Sequence, residues 1–273
     1  MAWKTLKDIP SWGWPEGTAS VFLEVLLDRR AGDSDRLLAA EVAGDFTVIN
    51  DKLVDALLTI LRSPDESAAL RSQAAISLGP VLEHADTDDF ENPDDVPITE
   101  QVFHRIRNSL RQLYADAGVP EAVRRSILEA AVRAPQDWHQ GAVRAAYASD
   151  DEAWRLTAVS CMQFVRGFDE QILAALESSN PEIHHQAVCA AGNWGVDAGW
   201  PHIAALVTSG DTEKRLLLAA IEAVVGIRPH EAVEILAELT NSNDEDIVEA
   251  VYEAMSMAEG ASDLDDEDDE FPE

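Results

Sequence analysis

The sequence predicts an all-α solenoid of about seven helix pairs, and three observations carry that expectation. Glu121, Glu152, Glu182, Glu213 and Glu245 each open a run of helix-forming residues, at successive spacings of 31, 30, 31 and 32. A period near thirty residues marks units that bury their apolar faces only against their neighbours. Hydrophobic residues make up 46% of the chain and aromatics only 6%, a balance that suits helices packed closely through small side chains. Finally, SPDES, VPEAVR, SDDEAWR, SNPEIHH, SGDTEKR and SNDEDIV recur between the apolar runs. Each supplies a capping Ser, Asp or Asn, or a proline near the first helical position, followed by an acid that favours the helix dipole. Each therefore begins the second helix of a pair.

Residues 1–16 read as an N-terminal arm, because Pro10 and Pro15 bracket Trp12, Gly13 and Trp14 and no periodicity survives there. Its tryptophans are expected to cover the open end of the array. The first pair is predicted over 18–30 and 33–44, with Asp33 or Ser34 as N-cap. The second is predicted over 50–62 and 63–83, where Val54, Leu57, Leu58 and Leu61 trace one helical face. Between Ala85 and Pro97 the pattern stops: ADTDDFENPDDVP is acidic, bears prolines and is too polar to pack, so an inserted loop is expected. The later pairs are predicted over 100–115 with 119–133, 137–148 with 150–165, 170–177 with 181–194, 199–208 with 211–225, and 230–240 with 244–258. From 261 to 273 a charge run with nothing to bury predicts a disordered acidic tail. The repeat domain is thus placed at 17–260.

Charge narrows the partners. With 52 acidic against 20 basic residues the net charge is -32, which speaks against nucleic acid and anionic membranes, since both need a cationic surface. Removing the fifteen acids of 86–100 and the tail still leaves -17, so the array itself is acidic and a basic protein partner is expected. Cys161 and Cys189 sit inside apolar helical runs and read as reduced core thiols. The N-terminus lacks an apolar signal core, and no run approaches the roughly eighteen uncharged residues of a membrane span. A cytoplasmic location is the expectation.

Second helices that carry a basic residue followed by small apolar ones, as in Val123-Arg124-Arg125, Trp154-Arg155-Leu156-Thr157-Ala158 and Leu70-Arg71-Ser72-Gln73-Ala74, resemble HEAT repeats. The resemblance covers 18–258 and implies a right-handed α-α superhelix. It also implies a ladder of turn acids, here Asp65, Asp150 or Asp151, Asn180, Asp211 and Asp244, against Arg71, Arg124, Arg155 and His185 or Arg215. The chain departs from the family pattern at Gly118, which replaces the turn acid of the third repeat, and in the seventh repeat, which has no arginine.

Relatives within that group suggest chemistries to weigh. Deoxyhypusine hydroxylases bind iron through repeated His-Glu dipeptides, and this chain has one, His230-Glu231. Adjacent residues on a helix point about 100° apart, so His184 and His185 are not expected to chelate one metal together. Phycobilin lyases hold a tetrapyrrole against aromatic and imidazole side chains, for which Trp154, His184, His185 and Trp194 are the matching positions. HEAT-like DNA glycosylases use basic channels. The arginines from Arg124 to Arg166 could instead receive an acidic peptide, such as the chain's own tail. No GxxxxGK[ST], GxSxG, HExxH or CxxC is present. The sequence therefore points to a non-catalytic protein-binding scaffold or adaptor, with no cofactor and no metal. Trp138, His139, Trp154, Arg155, His184 and Trp194 are its candidate contact residues, and a small-ligand enzyme or chaperone, tetrapyrrole lyase-like or metal-dependent, is the alternative.

Overall fold

The computed structural model describes residues 3–88, 90 and 96–267, which are helical with no strand among them. The chain divides into two compact units, Met1–Ala142 and Val143–Glu273.

The first unit contains α1 (Thr18–Leu27), α2 (Asp33–Ala43), α3 (Asp51–Arg62), α4 (Ala68–Ile76), α5 (Gly79–Thr87), α6 (Glu100–Ala115) and α7 (Glu121–Ala131). In each pair the first helix packs on the second, and the second helices α2, α4 and α7 pack in series. The apolar stripe of α3 lies in the core as its spacing requires, with Leu53, Val54, Leu57, Leu58 and Leu61 all buried. The helix starts because Asn50 accepts hydrogen bonds from the Lys52 and Leu53 N–H groups at 3.0 and 3.2 Å. Thr99 caps α6 in the same way, while α2 follows Gly32 and begins at Asp33 without a side-chain cap.

One expected helix is two. The run predicted over 63–83 breaks after Ile76 and resumes at Gly79 as α5. Pro80 causes this: it has no N–H to give, and its ring would collide with the carbonyl four residues back, at Ile76. The displaced α5 packs against α6 and α7 and continues to Thr87, so helix covers the start of the expected loop. At the far end of that segment Val96 is buried, contrary to the expectation that the stretch is too polar to pack, and Ile98 beyond it is buried too. The centre of the segment, 89 and 91–95, lies outside the described residues.

In the arm, short 3-10 turns span Trp3–Asp8 and Ser11–Gly13. Leu6 joins the core, and Trp14 meets Phe22 edge-on at 5.4 Å while its indole N–H donates to the Leu6 and Ile9 carbonyls at 2.9 and 3.1 Å. Trp12, by contrast, is 84% exposed and covers nothing.

Arginines on second helices tie the first two pairs together. Arg36 in α2 donates to the Leu26 carbonyl at 3.2 and 3.1 Å, and Arg71 in α4 donates to the Leu61 carbonyl at 2.9 Å. Both reach ten residues back, to the C-terminal end of the preceding helix, where carbonyls have no intrahelical donor. Arg36 also forms a two-pronged pair with Glu66, at 2.6 and 2.9 Å, in the turn of the next repeat. Of the ladder implied by the family pattern, Arg71 meets the Leu61 carbonyl, and the acid pair is formed by Arg36 and Glu66, which that pattern did not name.

The helix α8 (Asp137–Tyr147) spans the division between the units. The second unit continues with α9 (Glu152–Cys161), α10 (Asp169–Leu176), α11 (Pro181–Asn193), α12 (Trp200–Thr208), α13 (Lys214–Ile227), α14 (Pro229–Leu236) and α15 (Glu245–Glu267). Its second helices α9, α11, α13 and α15 pack in series, with α10, α12 and α14 paired to α11, α13 and α15. The recurring glutamates mark these starts: Glu152 and Glu245 are first residues, Glu182 is the second residue of α11, and Glu213 caps α13 by accepting from the Leu216 N–H. Here Lys214 bonds Asp244 and Asp246 at 2.8 and 2.6 Å and Arg215 bonds Glu182 at 2.7 Å. Thus Asp244 of the expected acid column is met by a lysine. The helix α15 runs through Glu267, so the tail boundary expected at 261 falls inside it; 268–273 lie outside the described residues.

The closest helix contact in this unit depends on two glycines. A Cβ on Gly226 would lie 2.3 Å from the Gly192 carbonyl oxygen, and one on Gly192 would lie 2.6 Å from the Ala223 Cα. Replacing helical glycine by alanine ordinarily gains about 1 kcal/mol. At Gly226 the obstacle is backbone that cannot rotate away, so overpacking wins and Gly226→Ala is expected to destabilise the protein by about 2 kcal/mol. Thermal or urea melts check this, and a rise in stability would contradict the close approach.

Candidate functional site: a groove across three second helices

The closeness of α11 to α13 follows from small residues at one register, and the same register shapes the surface. Gly192, Ala223 and Ala254 are spaced 31 residues apart, as are Gly195, Gly226 and Met257. Together with Cys189, Ala219, Val225 and Ala250, several of these line a groove of about 400 Å³ across α11, α13 and α15. Glu222 and Glu253, again 31 residues apart, stand on its walls and are exposed. Met257 is 56% exposed at one end, and Gln163 and Asn193 supply amides at the other. The Cys189 thiol has its pKa raised, by burial first and by the nearby Glu222 carboxylate second, so it stays protonated at neutral pH and is a poor nucleophile. The groove offers an apolar floor and two carboxylates, which suits a long cationic side chain whose stem is apolar and whose head is charged.

The residues singled out from the sequence take several different places. Trp138 and His139 lie in the first turn of α8, within the first unit. His139 is completely buried. Its Nδ1 accepts the Gln136 N–H at 2.9 Å, which leaves the proton of the neutral ring on Nε2, where it has no partner among the described residues. Burial first, and the Arg107 charge second, push its pKa down to about 4. The Trp138 ring lies tilted against that ring, with centroids 4.0 Å apart, and against Tyr114 at 5.1 Å. This is a packed aromatic cluster, and His139 presents no surface to a partner.

In the second unit, Trp154 is half-buried and Arg155 exposed on α9. Arg155 borders a cleft of about 270 Å³ with Tyr147, Ala174 and Ser178. Trp194 caps α11, donates its indole N–H to the Met162 carbonyl at 2.6 Å and lies under Arg166 at 4.6 Å; it joins adjacent repeats. His184 faces His202. Arg155, His184 and Trp194 thus meet separate sets of neighbours. Sequence reasoning passed over Glu222 and Glu253 because single glutamates do not stand out in so acidic a chain. Their shared register with the 31-residue period was the signal that could have found them.

A larger cavity, about 680 Å³, lies in the first unit beside the starts of α3 and α6. Part of its polar wall is already engaged: Asp51 accepts from the Thr99 N–H and hydroxyl at 2.9 and 3.1 Å, and Asn50 and Thr99 cap their helices. Among the described residues no group of three or more His, Cys, Asp or Glu is arranged to hold a metal, and no helix is long and apolar enough to cross a membrane.

Comparison with known proteins agrees with the helical pairs. Residues 169–256 match the family model of HEAT repeats. No curated protein matches the sequence significantly. Among solved structures, human deoxyhypusine hydroxylase in complex with glycerol is 15% identical, covering 95% of this chain and 89% of its own, with a TM-score of 0.42. An engineered protein is 16% identical over 89% of this chain and 96% of its own, TM-score 0.35. A designed armadillo repeat protein is 13% identical over 87% and 98%, TM-score 0.32. At such scores none of the three transfers a site or a function.

Proposed function

We propose that the groove across α11, α13 and α15, in the stretch that matches the HEAT-repeat model, binds a basic segment of a protein partner and that the chain is a non-catalytic scaffold. The observation that carries this reading is that Glu222 and Glu253 both line a groove that is otherwise largely alanine and glycine. A lysine or arginine of the partner lays its stem on that floor and its head by the carboxylates, while exposed Met257 on α15 gives apolar anchorage at the groove. The net charge of -32 draws a cationic partner from a distance and disfavours an anionic one. Arg155, exposed at its own cleft, is a second contact in this reading, and the reduced thiols Cys161 and Cys189 accord with a cytoplasmic setting.

The test is binding of an arginine-rich peptide with apolar flanks, measured by calorimetry at two salt concentrations. Glu222→Gln/Glu253→Gln is expected to weaken binding about tenfold, roughly 1.4 kcal/mol, with the melting temperature preserved. Two surface acids neutralised elsewhere, Glu24→Gln/Glu41→Gln, should leave affinity nearly unchanged. Equal losses in both variants would reduce the interaction to bulk charge and remove the groove from it.

A further inference from the structure

His184 and His202 meet at the joint between two repeats. His184 lies in the first turns of α11, the second helix of its pair, and His202 in the first turn of α12, the first helix of the next. Their Nε2 atoms are 2.8 Å apart, with ring centroids at 5.0 Å and planes at 76°. At that distance one nitrogen carries the proton and the other accepts it. Glu177, at the end of α10, places a carboxylate oxygen 3.4 Å from the other nitrogen of His202, Nδ1. That carboxylate favours the proton on Nδ1 and so leaves the Nε2 of His202 bare. Both rings are partly exposed, so an ion can reach them from solvent.

The geometry points to a two-histidine site for a divalent transition-metal cation at the Nε2 atoms of His184 and His202, with Glu177 as the carboxylate behind one ligand and water completing the coordination. Metal–imidazole bonds are about 2.0–2.1 Å. Two nitrogens 2.8 Å apart then subtend an angle of about 86° at the ion. That is near the right angle of tetragonal and octahedral coordination and well short of the tetrahedral angle, which would need the nitrogens about 3.3 Å apart. By this distance copper(II) and nickel(II), taking the place of the shared proton, are favoured over zinc(II), whose tetrahedral angle requires the nitrogens to part. A carboxylate beside the far nitrogen of a ligating imidazole orients the ring.

His185 does not belong to the site. It points to Cys189, whose sulfur is 4.0 Å from its Nδ1, and Glu182 on the same turn is taken by Arg215. Because the two ligands sit on consecutive repeats, the ion acts as a clamp across the joint between α11 and α12. This inference is independent of the groove and of any protein partner.

Calorimetric titration of the full chain with nickel(II) and with zinc(II), at neutral pH in a non-coordinating buffer, tests it. The expected result is one saturable nickel site that binds at least as tightly as zinc. Affinity should fall tenfold or more in His184→Asn and in His202→Asn, fall several-fold in Glu177→Gln, and stay unchanged in His185→Asn. Nickel should also raise the melting temperature of the parent protein and leave that of the two ligand variants where it was. Circular dichroism confirms that the variants are folded, and asparagine keeps a polar side chain of similar size should alanine unfold the joint. No nickel uptake by the parent, or uptake indifferent to both substitutions, would reduce the pair to a hydrogen bond between imidazoles.

Discussion

Arg36→Ala is expected to cost about 3–5 kcal/mol. The Arg36 and Glu66 side chains are only 6% and 12% exposed, and truncation strands both the Glu66 carboxylate and the Leu26 carbonyl that Arg36 satisfies. Leaving a buried charge unpaired is far costlier than the net worth of the pair. For a chain of this size each kcal/mol corresponds to about 2–4 °C, so a drop of about 6–20 °C should be seen by thermal melt. Arg36→Lys should recover little of it, because an ammonium cannot reproduce the two-pronged contact and the carbonyl bond together. The pair also titrates. Its hydrogen bond, the larger effect, and its charge hold the Glu66 carboxyl below the usual glutamate value against an opposing desolvation, while Arg36 is raised. A carboxyl depressed in the folded state stabilises above its unfolded pKa, near 4.5, and that contribution is lost as pH falls through the folded value. The parent should therefore lose stability below about pH 4.5, and the Arg36→Ala protein should lose less over the same range. An equal acid slope in the two proteins would mean that the pair is not formed in solution.

A second large loss is expected at milder acidity, from His139. Between its folded pKa of about 4 and an unfolded value of about 6.5, the unfolded chain takes up a proton that the folded one refuses, so stability rises with pH across that window and falls on acidification. The span corresponds to roughly 3 kcal/mol. Replacement by a residue that cannot titrate, His139→Met, should remove this contribution and flatten the stability profile between about pH 6.5 and 4. The difference between the two proteins separates it from other imidazoles, and it lies above the range in which Glu66 acts. The imidazole proton signals of His139 should titrate near pH 4 in the folded protein; titration near 6.5 would place the ring in contact with water.

Much of the helical architecture was legible because it is local. The caps at Asn50, Thr99, Asp151 and Asn180 and the glutamates at the starts of the later second helices are short-range signals, and α6 occupies its predicted residues from Glu100 to Ala115. The break at Pro80 was also written in the sequence, but the apolar run on either side of it masked a local rule with a periodic one. The candidate contacts were less legible. An exposed tryptophan and a buried histidine look alike in a string, and His139 differs from His184 only through what packs around it from α6 and the turn before α8. His184 was paired with its neighbour His185, when its partner, His202, is eighteen residues away on the next helix. Such distances depend on how helices lean together, which side-chain volumes decide and local patterns do not encode.

The glycine contact between α11 and α13 also bears on mechanics. Most helix joints are cushioned by a layer of side chains whose rotamers let neighbouring helices slide by small steps. Where Gly192 and Gly226 meet, that cushion is missing, and backbone rests on backbone. The joint is consequently stiff in shear, so under a stretching load α11 and α13 should move as one leaf.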